Sequence, residues 1–117
     1  MKAIVDFQKE FDKKHGWYRE GLSLEEKVKE LEYLVIALAG ELGEIADPLK
    51  KFLREIKRSG LKEENFKVLR EKLKEELTDV FIYTIIVSIL LDIDLEKEFY
   101  KKHEKNKEKY KELEIRK

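Results

Sequence analysis

The sequence has no cysteine, almost no proline and few glycines. Its 117 residues include no Cys, one Pro and five Gly. The absence of cysteine excludes disulfides and thiol chemistry, and it leaves the redox compartment undefined. Because glycine and proline are the strongest local signals for turns, their scarcity leaves few sequence signals for where secondary-structure elements end.

The chain also lacks an excess charge of either sign. Its 26 basic and 26 acidic residues give a formal net charge of zero, which provides no general attraction to nucleic acid or to an anionic membrane. The sequence does not begin with a basic and then apolar signal segment. Its longest uncharged apolar run, Val80 to Leu91, is shorter than the ~20 residues of a membrane helix. We therefore expect a soluble, cytoplasmic protein with no nucleic-acid or membrane partner.

The apolar residues, 42% of the chain, recur with a helical period. This pattern predicts an all-α, four-helix-bundle-like fold in a single domain over residues 1–117. Residues 110–117 are expected to fray. The predicted helices cover approximately Lys2–Lys14, Glu63–Leu91 and Leu95–Tyr110, and a second helix begins after the N-cap Ser23 and is ended by the "RSG" of Arg58–Gly60.

Local signals mark several boundaries of these helices. Ser23 with Glu26 three residues later has the pattern of a capping box at the start of the second helix. Asp94 is placed to cap the fourth helix. Pro48 lies inside the apolar stripe of the second helix, where we expect a kink or a break.

The third helix is apolar nearly all round from Val80 onward, which is typical of a helix buried on every side. One 117-residue bundle can hardly enclose such a helix. The pattern therefore favours a homodimer or homotetramer with the third helix central. The alternative is a chance excess of exposed isoleucine.

Side chains three residues apart lie on the same helix face, so like charges at that spacing repel each other. Acidic pairs at that spacing are accordingly rare in this chain. The three pairs are Glu41–Glu44, Glu44–Asp47 and Glu76–Asp79. Residues 33–49 and 75–96 contain no Lys or Arg. Asp47 has Lys50 and Lys51 nearby, which indicates an ordinary surface acid.

The other four carboxylates, Glu41, Glu44, Glu76 and Asp79, face apolar stripes that point to neighbouring helices. A carboxylate removed from water is costly unless it is paired or binds metal. Two acidic pairs on facing helices provide hard oxygen ligands that suit Mg²⁺ or Mn²⁺. The alternative is that these acids are half-exposed and pair with lysines of other helices.

Three segments in this order resemble the MazG-like nucleotide pyrophosphohydrolases of the all-α nucleoside triphosphate pyrophosphatase superfamily. "ALAGELGEIAD" (37–47) is similar to the first family signature and "EELTDVFIY" (75–83) to the second. "DIDLEKEFYKKHEKNKEKY" (92–110) is similar to the third. The resemblance extends over residues 17–110.

The resemblance implies a helical dimer or tetramer that hydrolyses nucleoside triphosphates to monophosphate and pyrophosphate. It implies Mg²⁺ held by Glu41, Glu44, Glu76 and Asp79, with Glu41 or Glu44 as the catalytic base. It also points to substrate contacts on one face of the fourth helix, where phosphate-binding lysines accompany an asparagine. These residues are Lys102, Lys105, Asn106 and Lys109.

The chain departs from the family pattern in two respects. Thirty-one residues, Ile45 to Glu75, separate the two acidic pairs, which is long for the family. Position 103 is His where Met is expected, and position 109 is Lys rather than Arg. These departures remove no metal ligand, but they leave the substrate subclass open.

Other residues have competing interpretations. Trp17 lies in a loop bounded by glycines, where it is placed either to stack a nucleobase or to pack. Tyr83 is placed to orient Asp79 or to pack in the core. His15 and His103 have no partners at ligand spacing and are interpreted as surface residues.

Two alternative functions remain open from the sequence. A phosphoribosyl-ATP pyrophosphohydrolase would use the same carboxylates and break the same type of bond. A non-catalytic helical oligomer that binds a protein partner would need neither the carboxylates nor a metal.

Overall fold

The computed structural model describes residues 1–115, which form four α-helices joined by short connections. A short 3₁₀ turn, Lys111–Leu113, follows the last helix within the segment predicted to fray; residues 116 and 117 lie outside the described part of the chain. The helices are α1 (Lys2–Lys14), α2 (Leu24–Ser59), α3 (Glu63–Leu90) and α4 (Leu95–Lys109).

Local hydrogen bonds fix the helix boundaries that the sequence predicts. The Ser23 hydroxyl accepts from the backbone N–H of Glu26 at 3.1 Å, and the Glu26 carboxylate accepts from the backbone N–H of Ser23 at 3.0 Å. The Asp94 carboxylate accepts from the N–H of Lys97 at 3.1 Å at the start of α4. Gly60 follows α2 with φ of 80°, a conformation that favours glycine. The predicted caps are therefore confirmed.

Of the kink or break predicted at Pro48, the break is wrong, because α2 continues as one helix from Leu24 to Ser59. Proline lacks an N–H, so the carbonyl of Glu44 has no intrahelical partner four residues later. The long packed surface between α2 and α3 is sufficient to maintain the helix through this defect.

Helices α2 and α3 form the main packed pair, an antiparallel hairpin closed by the short connection at residues 60–62. Helix α1 packs against α3 as well, so α3 is the helix shared by both contacts. The buried hydrophobic side chains in residues 1–115 are Leu34, Leu69 and Ile85, and of these Ile85 is the most completely removed from solvent, at 1% exposure. Helix α4 has no extensive packing against α1, α2 or α3.

The protomer is open and elongated. Its accessible surface is 10147 Å² for 14.1 kDa, whereas a compact monomer of this mass exposes about 6,700 Å². Its radius of gyration is 18.9 Å, against roughly 13 Å for a compact chain of this length. A large part of the apolar surface is therefore uncovered by this protomer.

The apolar part of α3 is only partly covered in one protomer. After Val80, only Ile85 and Ser88 are buried, while Phe81 and Leu91 are exposed. None of the helices in residues 1–115 combines the length and apolar character that crossing a membrane requires.

An uncovered apolar stripe follows one flank of α2. Its four residues recur every seven positions, which places them on one side of the helix. Their exposed fractions lie between 41% and 53%. We call this stripe the α2 seam; it consists of Val28, Val35, Leu42 and Leu49.

Candidate metal centre

Three carboxylates from two helices converge at one point of the α2–α3 pair. Glu41 and Glu44 lie one turn apart on α2, and Glu76 lies on α3. Each provides a carboxylate oxygen, and these three oxygens all lie within 4.8 Å of one another. We call these three residues the acidic cluster.

Two oxygens of the acidic cluster are buried without a hydrogen-bond partner. They are Oε2 of Glu41 and Oε2 of Glu76. No ion pair in residues 1–115 reaches Glu41, Glu44 or Glu76, so the alternative in which these acids pair with lysines is not seen within one protomer. A buried acceptor without a donor is costly, and such a group normally has an explanation such as an ion or a water.

The electrostatics of the acidic cluster favour the uptake of positive charge. Burial raises the pKa of Glu41 above its ordinary value, and the negative charges of Glu44 and Asp79 raise it further. Burial also raises the pKa of Glu76, followed by the hydrogen bond and charge of Glu44. Each ionised carboxylate therefore disfavours ionisation of its neighbours, which a proton or a cation would relieve.

Asp79 stands apart from the other three predicted ligands. It is exposed, and it does not share the convergence point within 4.8 Å. Its charge still contributes to the raised pKa of both Glu41 and Glu76. The structure thus brings together three of the four predicted carboxylates and leaves Asp79 at the edge.

Tyr83 lies one turn beyond Asp79 on α3 and is half-buried. Burial raises the pKa of its phenol, and the nearby Tyr33, Glu41 and Asp79 raise it further. In residues 1–115 no hydrogen bond joins Tyr83 to Asp79, so this packing position agrees with the core interpretation.

The donor set of the acidic cluster fits a hard divalent cation. It consists of carboxylate oxygens alone, and the chain has no cysteine to provide a soft ligand. The two unpartnered oxygens are inward acceptors, whereas Glu44 is exposed and keeps the cluster accessible from solvent. Mg²⁺ and Mn²⁺ use such ligands and usually retain coordinated water.

The predicted substrate residues on α4 do not meet the acidic cluster in one protomer. Lys102, Lys105 and Lys109 are exposed, Asn106 is half-buried, and α4 has no extensive packing against α2 or α3. No ion pair within residues 1–115 connects these lysines to the acidic cluster.

Trp17 belongs to an aromatic group at the end of α1. Its ring stacks on His15 at a centroid distance of 4.8 Å, and His15 lies 4.4 Å from Phe11. His15 and His103 are both exposed, as expected from the sequence. The stacking of Trp17 on a nucleobase stays a prediction.

Sequence reasoning missed the carboxylate of Asp12. This residue is 6% exposed and accepts a hydrogen bond at 3.0 Å from the Gln8 side chain one turn earlier. Both residues line a cavity of about 1060 Å³ between α1, the following loop, α2 and α3. The spacing of Gln8 and Asp12 at i and i+4 was the only sequence signal for this pair.

No protein-family model, curated protein or solved structure matches this chain.

Proposed function

We propose that this protein is a divalent-cation-dependent hydrolase of nucleoside triphosphates that releases a monophosphate and pyrophosphate. The observation that carries the proposal is the acidic cluster with its two buried, unpartnered oxygens. The three segments that resemble the MazG-like pyrophosphohydrolases, in the same order, support the choice of a nucleoside triphosphate as substrate. Removal of non-standard or surplus nucleotides from the nucleotide pool is the proposed role.

In this proposal Glu41, Glu44 and Glu76 hold the cation, and Asp79 joins them by a change of rotamer or through water. Bound Mg²⁺ or Mn²⁺ would neutralise phosphate charge and lower the pKa of water. A triphosphate carries about four negative charges, so without a cation the carboxylates would repel it.

The reaction balances with water as the only co-reactant. The water oxygen bonds to the α-phosphorus and the bond from that phosphorus to the α–β bridging oxygen breaks. Pyrophosphate leaves with the bridging oxygen. Whichever of Glu41 and Glu44 is not fully used as a ligand accepts the proton of the attacking water.

We propose further that a second copy of the chain completes the assembly, as a homodimer or homotetramer. The α2 seam and the excess accessible surface support this proposal. Within one protomer α4 has no extensive packing against the α2–α3 pair. We therefore propose that α4 of another copy provides the substrate-binding residues of the assembly. These residues are Lys102, Lys105, Asn106 and Lys109.

The first experiment measures pyrophosphate and monophosphate release from a panel of ribo- and deoxyribonucleoside triphosphates, with Mg²⁺, Mn²⁺ or EDTA. Phosphoribosyl-ATP is included to test that related activity. We expect turnover only with a divalent cation. Turnover of phosphoribosyl-ATP alone would reassign the substrate, and no turnover on any substrate would refute the enzymatic proposal.

Matched variants then test the acidic cluster. Glu76→Gln is compared with Glu75→Gln, since Glu75 is exposed on the same helix and outside the cluster. Glu44→Gln is compared with Asp47→Asn in the same way. Each cluster variant should lose turnover at least ~100-fold while its control keeps it. Equal activity of a cluster variant and its control would contradict the site.

Thermal melting with and without Mg²⁺ separates ligands from the base. A variant that lacks a ligand loses both turnover and stabilisation by the cation, because only binding to the folded state stabilises it. A variant that lacks the base loses turnover and keeps the stabilisation. Glu41→Gln and Glu44→Gln are the pair to compare.

The exposed apolar seam also favours a second function, a non-catalytic helical oligomer that binds a protein partner. This function predicts no cation-dependent pyrophosphate release. It also predicts that Glu44→Gln changes nothing except stability.

A further inference from the structure

The cavity beside Asp12 begins about two helical turns from the acidic cluster. Its near wall is formed by Tyr33 on α2 and Tyr83 on α3. These residues lie roughly 12 Å from Glu41 and roughly 10 Å from Glu76 along their helices. The charges of Glu41 and Asp79 raise the pKa of Tyr83, so the cavity wall lies within electrostatic range of the cluster. A ligand with its phosphates at the cluster would extend its nucleoside into this cavity.

The Asp12 side chain offers the cavity an acceptor that lacks a protein donor. Its Oδ1 accepts from Nε2 of Gln8 at 3.0 Å, and within residues 1–115 no other hydrogen bond or ion pair reaches the carboxylate. The backbone is fixed as well, since the Asp12 carbonyl accepts from the N–H of Trp17 at 2.8 Å and of Tyr18 at 3.2 Å. The Asp12 side chain is 94% buried, and its second oxygen, which has no protein donor in that range, keeps access to solvent, so it is open to a donor from a ligand.

Trp17 provides a flat apolar surface on the same cavity. One side of its indole stacks on His15, with ring planes 23° apart, while the side chain remains 67% exposed. The His15 ring is held in turn, because its Nδ1 is 2.7 Å from the carbonyl of Phe11, which accepts only an N–H. The Trp17 indole is therefore held in place before a ligand binds, and its side away from His15 is open to stack an aromatic ring.

We propose that this cavity binds the nucleobase and that Asp12 selects bases with an exocyclic amino group. Its free oxygen accepts an N–H of that amino group while the base stacks on Trp17. Cytosine and adenine satisfy the carboxylate, whereas the carbonyl of uracil or hypoxanthine at the same position repels it. Asp12 is thus a specificity-determining residue. The inference rests on the proposed function for the triphosphate, but the base contact is testable without a metal or phosphate.

The experiment uses Trp17, the only tryptophan of the chain, as a fluorescent reporter. The full-length protein in EDTA is titrated with nucleosides in two pairs of nearly equal size. Cytidine is compared with uridine, and adenosine with inosine, because each pair differs at the amino group. We expect the amino-bearing member to bind on the order of tenfold more tightly, the value of one buried hydrogen bond to a charged group.

Asp12→Asn tests the assigned atom. Its amide keeps the shape and still accepts from Gln8, but it directs an N–H toward the base, so the preference should vanish or reverse. Asp6→Asn, an exposed substitution on the same helix, should keep the wild-type preference. Circular dichroism checks that both variants fold, and equal binding within each pair by the wild-type protein overturns the inference even if Asp12→Asn does not fold.

The outcomes separate this inference from the proposed function. Equal binding within each pair, or an unchanged preference in Asp12→Asn, would overturn the role of Asp12. Triphosphate hydrolysis without nucleoside binding at Trp17 would leave the enzyme standing and reject this cavity as the base site. Selective nucleoside binding without hydrolysis would support the cavity and reject the enzyme.

Discussion

The α2 seam gives the most direct test of assembly. We expect Val35→Glu, in the middle of the seam, to prevent association. Val35 is 48% exposed in the protomer and lies about 100° around α2 from the buried Leu34. The substitution therefore adds a charge where a second copy would pack, and it leaves the α2–α3 contact unchanged.

The magnitude follows from the accessible surface. The protomer exposes about 3,400 Å² more than a compact chain of its mass. A dimer that covers half of this excess on each copy would bury about 3,400 Å² in total, within the range of obligate homodimers. In a two-fold interface each substitution occurs twice, so two unpaired buried carboxylates cost roughly 6 kcal/mol together. This cost weakens association by about 10⁴-fold.

Sedimentation velocity and light scattering measure the result. The wild-type protein should have a mass of at least twice 14.1 kDa, and its urea midpoint should rise with protein concentration. Val35→Glu should sediment as a monomer or unfold at the same concentration. Lys29→Gln, an exposed substitution about 120° around the helix from Val35, should behave as wild type.

A wild-type protein that remains at 14.1 kDa, with unfolding independent of concentration, would refute the assembly. An assembled Val35→Glu with wild-type stability would show that the second copy does not pack on the seam.

Three further predictions concern the protomer. Ile85→Ala, at a side chain only 1% exposed, should lower the free energy of unfolding by about 2–5 kcal/mol. Its control Ile115→Ala, at an exposed site, should change that free energy by less than ~0.5 kcal/mol. Similar urea midpoints for the two variants would contradict the assigned core. Pro48→Ala restores an N–H for the carbonyl of Glu44 and should raise the free energy of unfolding by roughly 1 kcal/mol or more. An unchanged or lower urea midpoint would show that the missing hydrogen bond does not destabilise α2. Because the folded-state pKa of Glu41 is raised above 4.5, its ionisation destabilises the metal-free protein at neutral pH and this penalty disappears as pH falls toward 4.5. Glu41→Gln in EDTA should therefore melt above wild type at pH 8 and approach it at pH 5, and a gap that widens on acidification would contradict the shift.

Local features of the fold were predictable from the sequence. The capping box at Ser23 and the cap at Asp94 use side chains and N–H groups within three residues of each other. Helix ends depend on such short-range bonds, and so the predicted bounds agree with the observed ones within about one residue. Pro48 is the exception, because packing along α3 outweighed a local penalty.

The sequence identified four candidate carboxylates for the acidic cluster, but it did not show which of them converge. The spacing of the pairs placed four carboxylates on the inner sides of two helices. Whether their oxygens meet depends on the rotation and axial offset of α2 against α3, which side-chain packing sets. Only the folded pair showed that Glu41, Glu44 and Glu76 converge and that Asp79 stands outside.

By itself the sequence determined the four helices, their caps and the charge-poor segments that carry the acids, since hydrogen bonds and charges close along the chain decide these. Tertiary structure alone decided that Asp12 is buried beside a cavity and that α4 stands away from the acidic cluster. Contacts between helices distant in sequence depend on the angle and depth at which they pack. No local pattern of residues specifies those two quantities.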